Sequence, residues 1–129
     1  METPPPALHP LLQGRTFYVG GTGPNNYSRI QDAINNATSG DSIFVYNGVY
    51  LENIYLGKSL KIQGQNQSLT VIDGGGHGSV VTITANNVIL QGFTIRHATK
   101  GVTNAGVAIS MAWNVTLEHN IVRDNEALG

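Results

Sequence analysis

The sequence predicts an all-β chain of stacked coils, a parallel β-helix, with one α-helix capping its N-terminal end. Three observations predict it. First, Asn87–Arg96 (Asn-Val-Ile-Leu-Gln-Gly-Phe-Thr-Ile-Arg) returns 27 residues later at Asn114–Arg123 as Asn-Val-Thr-Leu-Glu-His-Asn-Ile-Val-Arg, and a weaker copy, Ser59–Gly64, begins 28 residues before it. A period in this range, carried by short β-rich runs, is a signature of a solenoid. Second, apolar residues alternate within the runs, as in Leu60/Ile62, Val81/Ile83, Val88/Leu90, Phe93/Ile95, Val107/Ile109 and Val115/Leu117. Alternation gives each strand one buried face. Third, charged residues make up only 12% of the chain, and 16 glycines with many Asn and Thr take their place. That composition suits tight turns and β surface more than helices.

At 129 residues the chain is one domain or part of one. Its net charge of −1 argues against a basic nucleic-acid stripe and against a polybasic membrane-binding run. Cysteine is absent, which removes disulfides and thiolate chemistry. No apolar run reaches the length of a membrane-spanning helix. The first ten residues lack the basic start and apolar core of a signal peptide, so an exported form is expected to have had its signal removed.

Residues 1–15 read as a flexible Pro-rich leader, with Pro4-Pro5-Pro6 and Pro10 favouring polyproline II. Residues 16–129 read as the N-terminal, capped section of the solenoid. Thr16–Val19 is a β run, closed by Gly20-Gly21-Thr22-Gly23-Pro24, a turn that lacks the Lys-Ser/Thr of a phosphate loop. Tyr27–Ala37 is the one helix expected, because Ile30, Ala33, Ile34 and Ala37 form an apolar face. Ser28 and Gln31 have the spacing of a capping box, and Thr38-Ser39-Gly40-Asp41 ends the helix. A single short helix cannot bury that face alone, so its expected role is a lid across the first coil.

The β runs then come in order as Ile43–Tyr46, Val49–Leu56, Leu60–Ile62, Leu69–Ile72, Val80–Thr84, Val88–Leu90 and Phe93–Ile95. A looser segment, Ala98–Ala105, precedes Val107–Met111, Val115–Leu117 and Ile121–Val122. Three short strands per 27-residue coil are expected, with a strong turn signal at Asn47-Gly48. The repeat makes Asn87 and Asn114 equivalent corners, where Asn tolerates left-handed angles and stacked amides can bond. Gly64 and Gly92 are a second equivalent pair, and His119 in the next coil is expected to loosen that corner.

The N-terminal half holds a distinctive order: Phe17-Tyr18-Val19-Gly20-Gly21, Tyr27-Ser28-Arg29-Ile30-Gln31-Asp32-Ala33-Ile34, Ser39-Gly40-Asp41-Ser42-Ile43-Phe44-Val45, Gly48-Val49-Tyr50, Glu52-Asn53-Ile54, Lys58-Ser59-Leu60 and Val71-Ile72-Asp73-Gly74. Together with the repeated coils C-terminal to it, this order resembles the opening of right-handed parallel β-helix proteins of the pectin-lyase-like superfamily, over about residues 16–125. Within them it is similar to the NosD-like branch common in archaeal surface and secreted proteins. The resemblance implies a right-handed coil with a capping helix, an extracellular, cell-surface or periplasmic location, and a tendency to bind or process carbohydrate. Members of that family run to many more coils, so a truncated C-terminus is expected. Its open last coil would favour end-to-end self-association.

Enzymes on such a scaffold cluster carboxylates on one face. Asp41, Glu52, Asp73, Glu118 and Asp124 do not stack at a 27-residue period, so no catalytic residue is assigned. Arg96 and Arg123 do stack, and with Tyr50, Tyr55 and Trp113 they are the candidate carbohydrate-binding residues. Tyr46 is a further aromatic in reach of that surface, and Gln91 a further exposed polar group. The spacings of His77, His97 and His119 do not match the coil, so no metal site or cofactor is expected. Asn26, Asn36, Asn66 and Asn114 head Asn-x-Ser/Thr sequons and are candidate glycan acceptors. The expected function is an extracytoplasmic surface or carbohydrate-interaction module whose partner is a polysaccharide or cell-surface glycan. Two alternatives stand beside it: the start of a carbohydrate-active enzyme with its site in later coils, and a NosD-like copper-maturation accessory.

Overall fold

A computed structural model describes residues 14–98 and 105–125, so most of the leader and of the looser segment lie outside the described residues. Among the described residues there are twelve strands and one short helix. In chain order they are β1 (Thr16–Val19), α1 (Ile30–Asn36), β2 (Ser42–Val45), β3 (Gly48–Leu51), β4 (Ile54–Leu56), β5 (Lys61–Gly64), β6 (Thr70–Asp73), β7 (Val81–Ile83), β8 (Val88–Gln91), β9 (Thr94–Arg96), β10 (Val107–Ile109), β11 (Val115–Glu118) and β12 (Ile121–Val122). Three all-parallel sheets run along the stack: β1-β2-β5-β8-β11, β3-β6-β9-β12 and β4-β7-β10. The protein is a β-solenoid of about four turns, each coil visiting the three sheets in order.

The alternation read from the sequence becomes a column of side chains. Ile43, Ile62 and Leu90 are register partners on the first sheet; on the third, Ile54 pairs with Val81 and Leu56 with Ile83, and all are buried. Ile72 and Ile95 pair on the second sheet, and Phe93 fills the corner before it. Burying a residue of this size contributes roughly 1.5–3 kcal/mol. The column offsets the order imposed on so many short strands. Inward Ile109, Leu117 and Val122 pair with buried Ile83, Leu90 and Ile95, yet are 46%, 43% and 52% exposed at the far end.

The coils are not of one length. Ser42 pairs with Lys61, a 19-residue step, whereas Lys61 pairs with Ile89 and Val88 with Val115, steps of 28 and 27. The first coil is the bare triangle, and later coils carry extra residues at their corners. The expected single run Val49–Leu56 is two strands, β3 and β4, because Glu52 and Asn53 make a corner between sheets. Asn47-Gly48 is likewise a corner between parallel sheets and not a hairpin turn.

Close stacking explains Gly64 and Gly92. A Cβ on Gly64 would lie 2.1 Å from the Gly92 carbonyl oxygen, and one on Gly92 would lie 2.7 Å from that of Gly64. Gly92 also has φ +83. In the next coil His119 takes the same left-handed turn, with φ 53, and the Gly92 N–H still reaches the Glu118 carbonyl at 3.3 Å. Asn87 and Asn114 have φ 59 and 57, and the Asn114 amide donates to Asn87 Oδ1 at 2.6 Å.

The helix lies over the first coil with Ile30, Ala33, Ile34 and Ala37 buried. It is shorter than the periodicity predicts, and its N-cap is Arg29, with no capping bond from a nearby side chain. Glu52, from the β3–β4 corner, takes that role instead. Its carboxylate oxygens accept from the Ile30 N–H at 2.7 Å and the Gln31 N–H at 3.0 Å. A charged acceptor on two unpaired helix donors, with the helix dipole behind them, outcompetes a serine hydroxyl. Gln31 is thereby free to act as an artificial strand edge: its Oε1 accepts from the Tyr55 N–H at 2.8 Å and its Nε2 donates to the Tyr55 carbonyl at 3.3 Å. At the other end Lys58 Nζ donates to the carbonyls of Ile34, Asn35 and Ala37 at 2.9, 3.1 and 2.6 Å.

Two stability measurements check this account. Gly64→Ala should lose about 3 kcal/mol or more in urea unfolding, because Gly64 is held in the ladder of β5 with β2 and Gly92 by its bond to the Glu118 carbonyl. Gly40→Ala, at φ +98 with open space around it, should lose only about 1–2 kcal/mol. Glu52→Ala should cost about 2–3 kcal/mol by leaving one buried and one half-buried donor unpaired, and Glu52→Gln less, since one amide oxygen still accepts.

Candidate functional site

The residues singled out for binding do not form one surface. Tyr50 is in the core, its hydroxyl donating to the Tyr46 carbonyl at 2.7 Å. Burial raises its pKa, and the nearby Glu52 charge adds to the effect. Tyr55 is exposed on the third sheet and accepts from Thr84 Oγ1 at 2.9 Å. Trp113 is exposed at the corner leading to β11, its N–H donating to Asn86 Oδ1 at 2.9 Å. Arg96 and Arg123 sit together at the end of the second sheet, one coil apart. Gln91 lies on the outer face of the first sheet, in a row with Tyr18, Phe44, Gln63 and Glu118.

The densest polar arrangement is built where the second sheet ends. Asp73 is the register partner of Arg96, and the carbonyl of Asp124 accepts the His97 N–H at 3.0 Å. Asp73 Oδ1 accepts from the Gly75 N–H at 2.8 Å. Its Oδ2 accepts from Arg96 Nε at 3.1 Å and meets His97 Nδ1 at 2.9 Å. Burial alone would raise the Asp73 pKa, but the Gly75 N–H and the Arg96 and His97 side chains together bring it below the ordinary aspartate value. An ionised carboxylate only accepts hydrogen bonds, so Nδ1 is the donor and Nε2 is left facing away from Asp73. In the next coil Arg123 Nη1 donates to Asp124 Oδ2 at 2.6 Å. These groups border an open groove of about 700 Å³ lined by Leu51, Asp73, Gly75, Gly76, His97 and Asp124 with Ala98.

Two consequences differ from the sequence expectation. The stacked Arg96 and Arg123 are each paired with a carboxylate that lines the groove, so the surface around the groove is mixed in charge and not dicationic. His77 and His97 occupy the same corner on neighbouring coils, where their spacing predicted no alignment, while His119 sits on a different corner. Among the described residues, no three of His, Cys, Asp and Glu converge to hold a metal ion.

A uniform 27-residue period sets Asp73 against Tyr46 and Lys100 and not against Arg96. The pairing of Val71 with Thr94 is a 23-residue step, since the corner Gln65–Leu69 separates Gly64 from Thr70 whereas their counterparts Gly92 and Phe93 are adjacent. The available signal was the shared apolar-then-charged ending of Ile72-Asp73 and Ile95-Arg96. A second feature also went unread. On the outer face of β1 and β2, Tyr18 stacks with Tyr46 at 6.3 Å, and Phe44 meets Tyr46 edge-on at 5.2 Å. Phe44 and Tyr46 share a face by alternation, and register adds Tyr18 to them.

The chain is 33% identical over 105 residues to a protein of Methanothermus fervidus named a cell surface glycoprotein. That alignment covers 80% of this chain and 18% of the relative, so the chain spans less than a fifth of the relative's length. Neither a protein-family model nor a solved structure matches it. No helix among the described residues is long and apolar enough to cross a membrane.

The depressed pKa of Asp73 sets the sign of a pH effect. Its contribution is fully present above the unfolded aspartate value of about 3.9 and is lost as pH falls through its lower folded value. Asp73→Asn should therefore narrow the stability gap between pH 7 and acid, read as a smaller fall in thermal midpoint between those conditions than in the unsubstituted chain. An unchanged fall would remove Asp73 as a contributor.

Proposed function

We propose that this chain is a structural module of an extracytoplasmic surface protein, related to the NosD-like, right-handed branch of β-helix proteins. The observation that carries the reading is the extent of the alignment: four-fifths of the chain, and so most of the solenoid, matches a cell surface glycoprotein. The physical character of the fold supports it. Backbone pairing runs through every coil, and the N-terminal edge is closed by the helix, which makes a stiff rod suited to projecting or spacing a surface layer. Protease shaving of intact cells that make the protein should release peptides from these coils. Recovery only after lysis would overturn the surface reading.

A second reading concerns the groove at Asp73, Arg96 and His97. Oriented donors and acceptors whose charges cancel locally match the hydroxyls of a neutral sugar better than a uronic acid. The groove is therefore the proposed glycan-contact surface of the module, with Leu51 as an apolar floor. In a glycan-array screen the chain should retain neutral oligosaccharides, and His97→Ala should weaken retention at least fivefold when both chains are assayed well below their thermal midpoints. Retention of acidic glycans alone, or insensitivity to His97→Ala, would reject the assignment.

A further inference from the structure

The four sequons sit in unequal structural settings, and the difference selects one of them. In Asn26-Tyr27-Ser28, Asn26 Nδ2 donates to the Gly20 carbonyl at 2.7 Å and the Tyr27 N–H is held by the Tyr18 carbonyl at 2.8 Å. In Asn36-Ala37-Thr38, Asn36 Nδ2 donates to the Asp32 carbonyl at 2.9 Å and Ala37 is buried beneath the lid. The hydroxyl of Thr38 is bound to Asp41 Oδ2 at 3.2 Å. In Asn114-Val115-Thr116, Asn114 Nδ2 is tied to Asn87 at 2.6 Å, and Val115 and Thr116 are paired in the ladder of β11 with β8. At each of these the acceptor nitrogen itself, Nδ2, is already engaged in a native hydrogen bond that glycan transfer would have to break.

Asn66-Gln67-Ser68 is different. It occupies the long corner between β5 and β6, where residues 65–69 are all exposed, the next coil has no counterpart to them, and the Gln67 carbonyl accepts from Thr94 Oγ1 at 2.6 Å. The corner is well braced. The Leu69 and Thr70 N–H groups both donate to the Asn66 carbonyl, at 3.0 and 2.8 Å, and the Asn66 N–H donates to Thr70 Oγ1 at 3.0 Å. Asn66 Oδ1 accepts the N–H of Ser68, its own sequon partner, at 2.8 Å. A bond donated to the amide oxygen draws electron density from Nδ2 and makes its protons easier to lose. Among the described residues no acceptor holds Nδ2 itself.

The geometry points to Asn66 as the N-glycosylation site that the folded chain presents. The donor is a sugar carried on a lipid phosphate or diphosphate. Asn66 Nδ2 forms a bond to the anomeric carbon, the bond from that carbon to phosphate oxygen breaks, phosphate leaves with the electron pair, and Nδ2 loses one proton. The inference rests on the surface reading only in requiring that the chain meet such a donor outside the cytoplasm. The attachment chemistry can be tested without that condition.

The test treats the purified, folded chain with an oligosaccharyltransferase and a lipid-linked oligosaccharide, beside a control sequon peptide and the same chain unfolded in urea and diluted. Intact mass and peptide mapping read the outcome. The folded chain should gain one glycan, on Asn66, at least tenfold above any other sequon. Asn66→Gln should abolish that gain while keeping the thermal midpoint, and the unfolded chain should lose the selectivity. Equal or greater occupancy of Asn26, Asn36 or Asn114 on the folded chain would overturn the proposal. So would an unmodified folded chain beside a modified control peptide.

Discussion

Each inner strand of this solenoid satisfies its backbone by pairing with the coil on either side, so the stack is most vulnerable at its ends, where one side is missing. A strand edge left open there exposes N–H and C=O groups and the apolar column behind them. The N-terminal solution uses polar contacts from three side chains on a seven-residue helix. Glu52 holds its start, Lys58 its end, and the two ends of the Gln31 amide replace the missing strand along Tyr55. Beyond it Asp41 gathers the N–H groups of Thr38 and Arg15 with the Arg15 guanidinium, fixing the return into β2. Although burial opposes its charge, these bonds hold Asp41 below the ordinary aspartate range. The helix is too short to be stable by itself. It exists because the first coil supplies both its apolar floor and its caps.

The same dependence on neighbouring coils shapes the surface. Corners vary in length while the sheets keep register, so residues far from a uniform repeat are brought into contact and residues that fit the repeat are left apart. Asp73 meets Arg96 and His97 because the corner at Gln65–Leu69 is long and its successor short. That long corner carries Asn66 outward. A rigid core thus bears adaptable corners, and both the mixed-charge groove and the projecting sequon are corner features. A surface module of this kind needs little from its strands beyond stiffness, which fits a chain whose strand faces are mostly committed to packing.

The fold was legible in the sequence to the extent that it depends on local pattern. Alternation at Ile62, Leu90 and Leu117 marks an inward face whatever lies beside it, and the recurrence of Asn-Val at Asn87 and Asn114 marks a coil boundary. The site was much less legible. Arg96 and Arg123 were readable as a pair because they share the 27-residue step, but their neutralisation by Asp73 and Asp124 was not. Nothing local indicates that Tyr50 seals the core, or that Tyr18 joins Phe44 and Tyr46 outside it.

The sequence by itself determined that the chain stacks short parallel strands under a helical lid, because one-sided apolar alternation and a repeated corner permit few other ways to bury the apolar face. Only the tertiary structure decided where charge meets charge. Contacts between coils depend on register, and register depends on the summed length of corners, a quantity that no window of the sequence contains. Hence Asn87–Arg96, the stretch that announces the repeat, supplies corner and core, and it reaches the groove through the bond from Arg96 to Asp73, a groove residue 23 positions earlier.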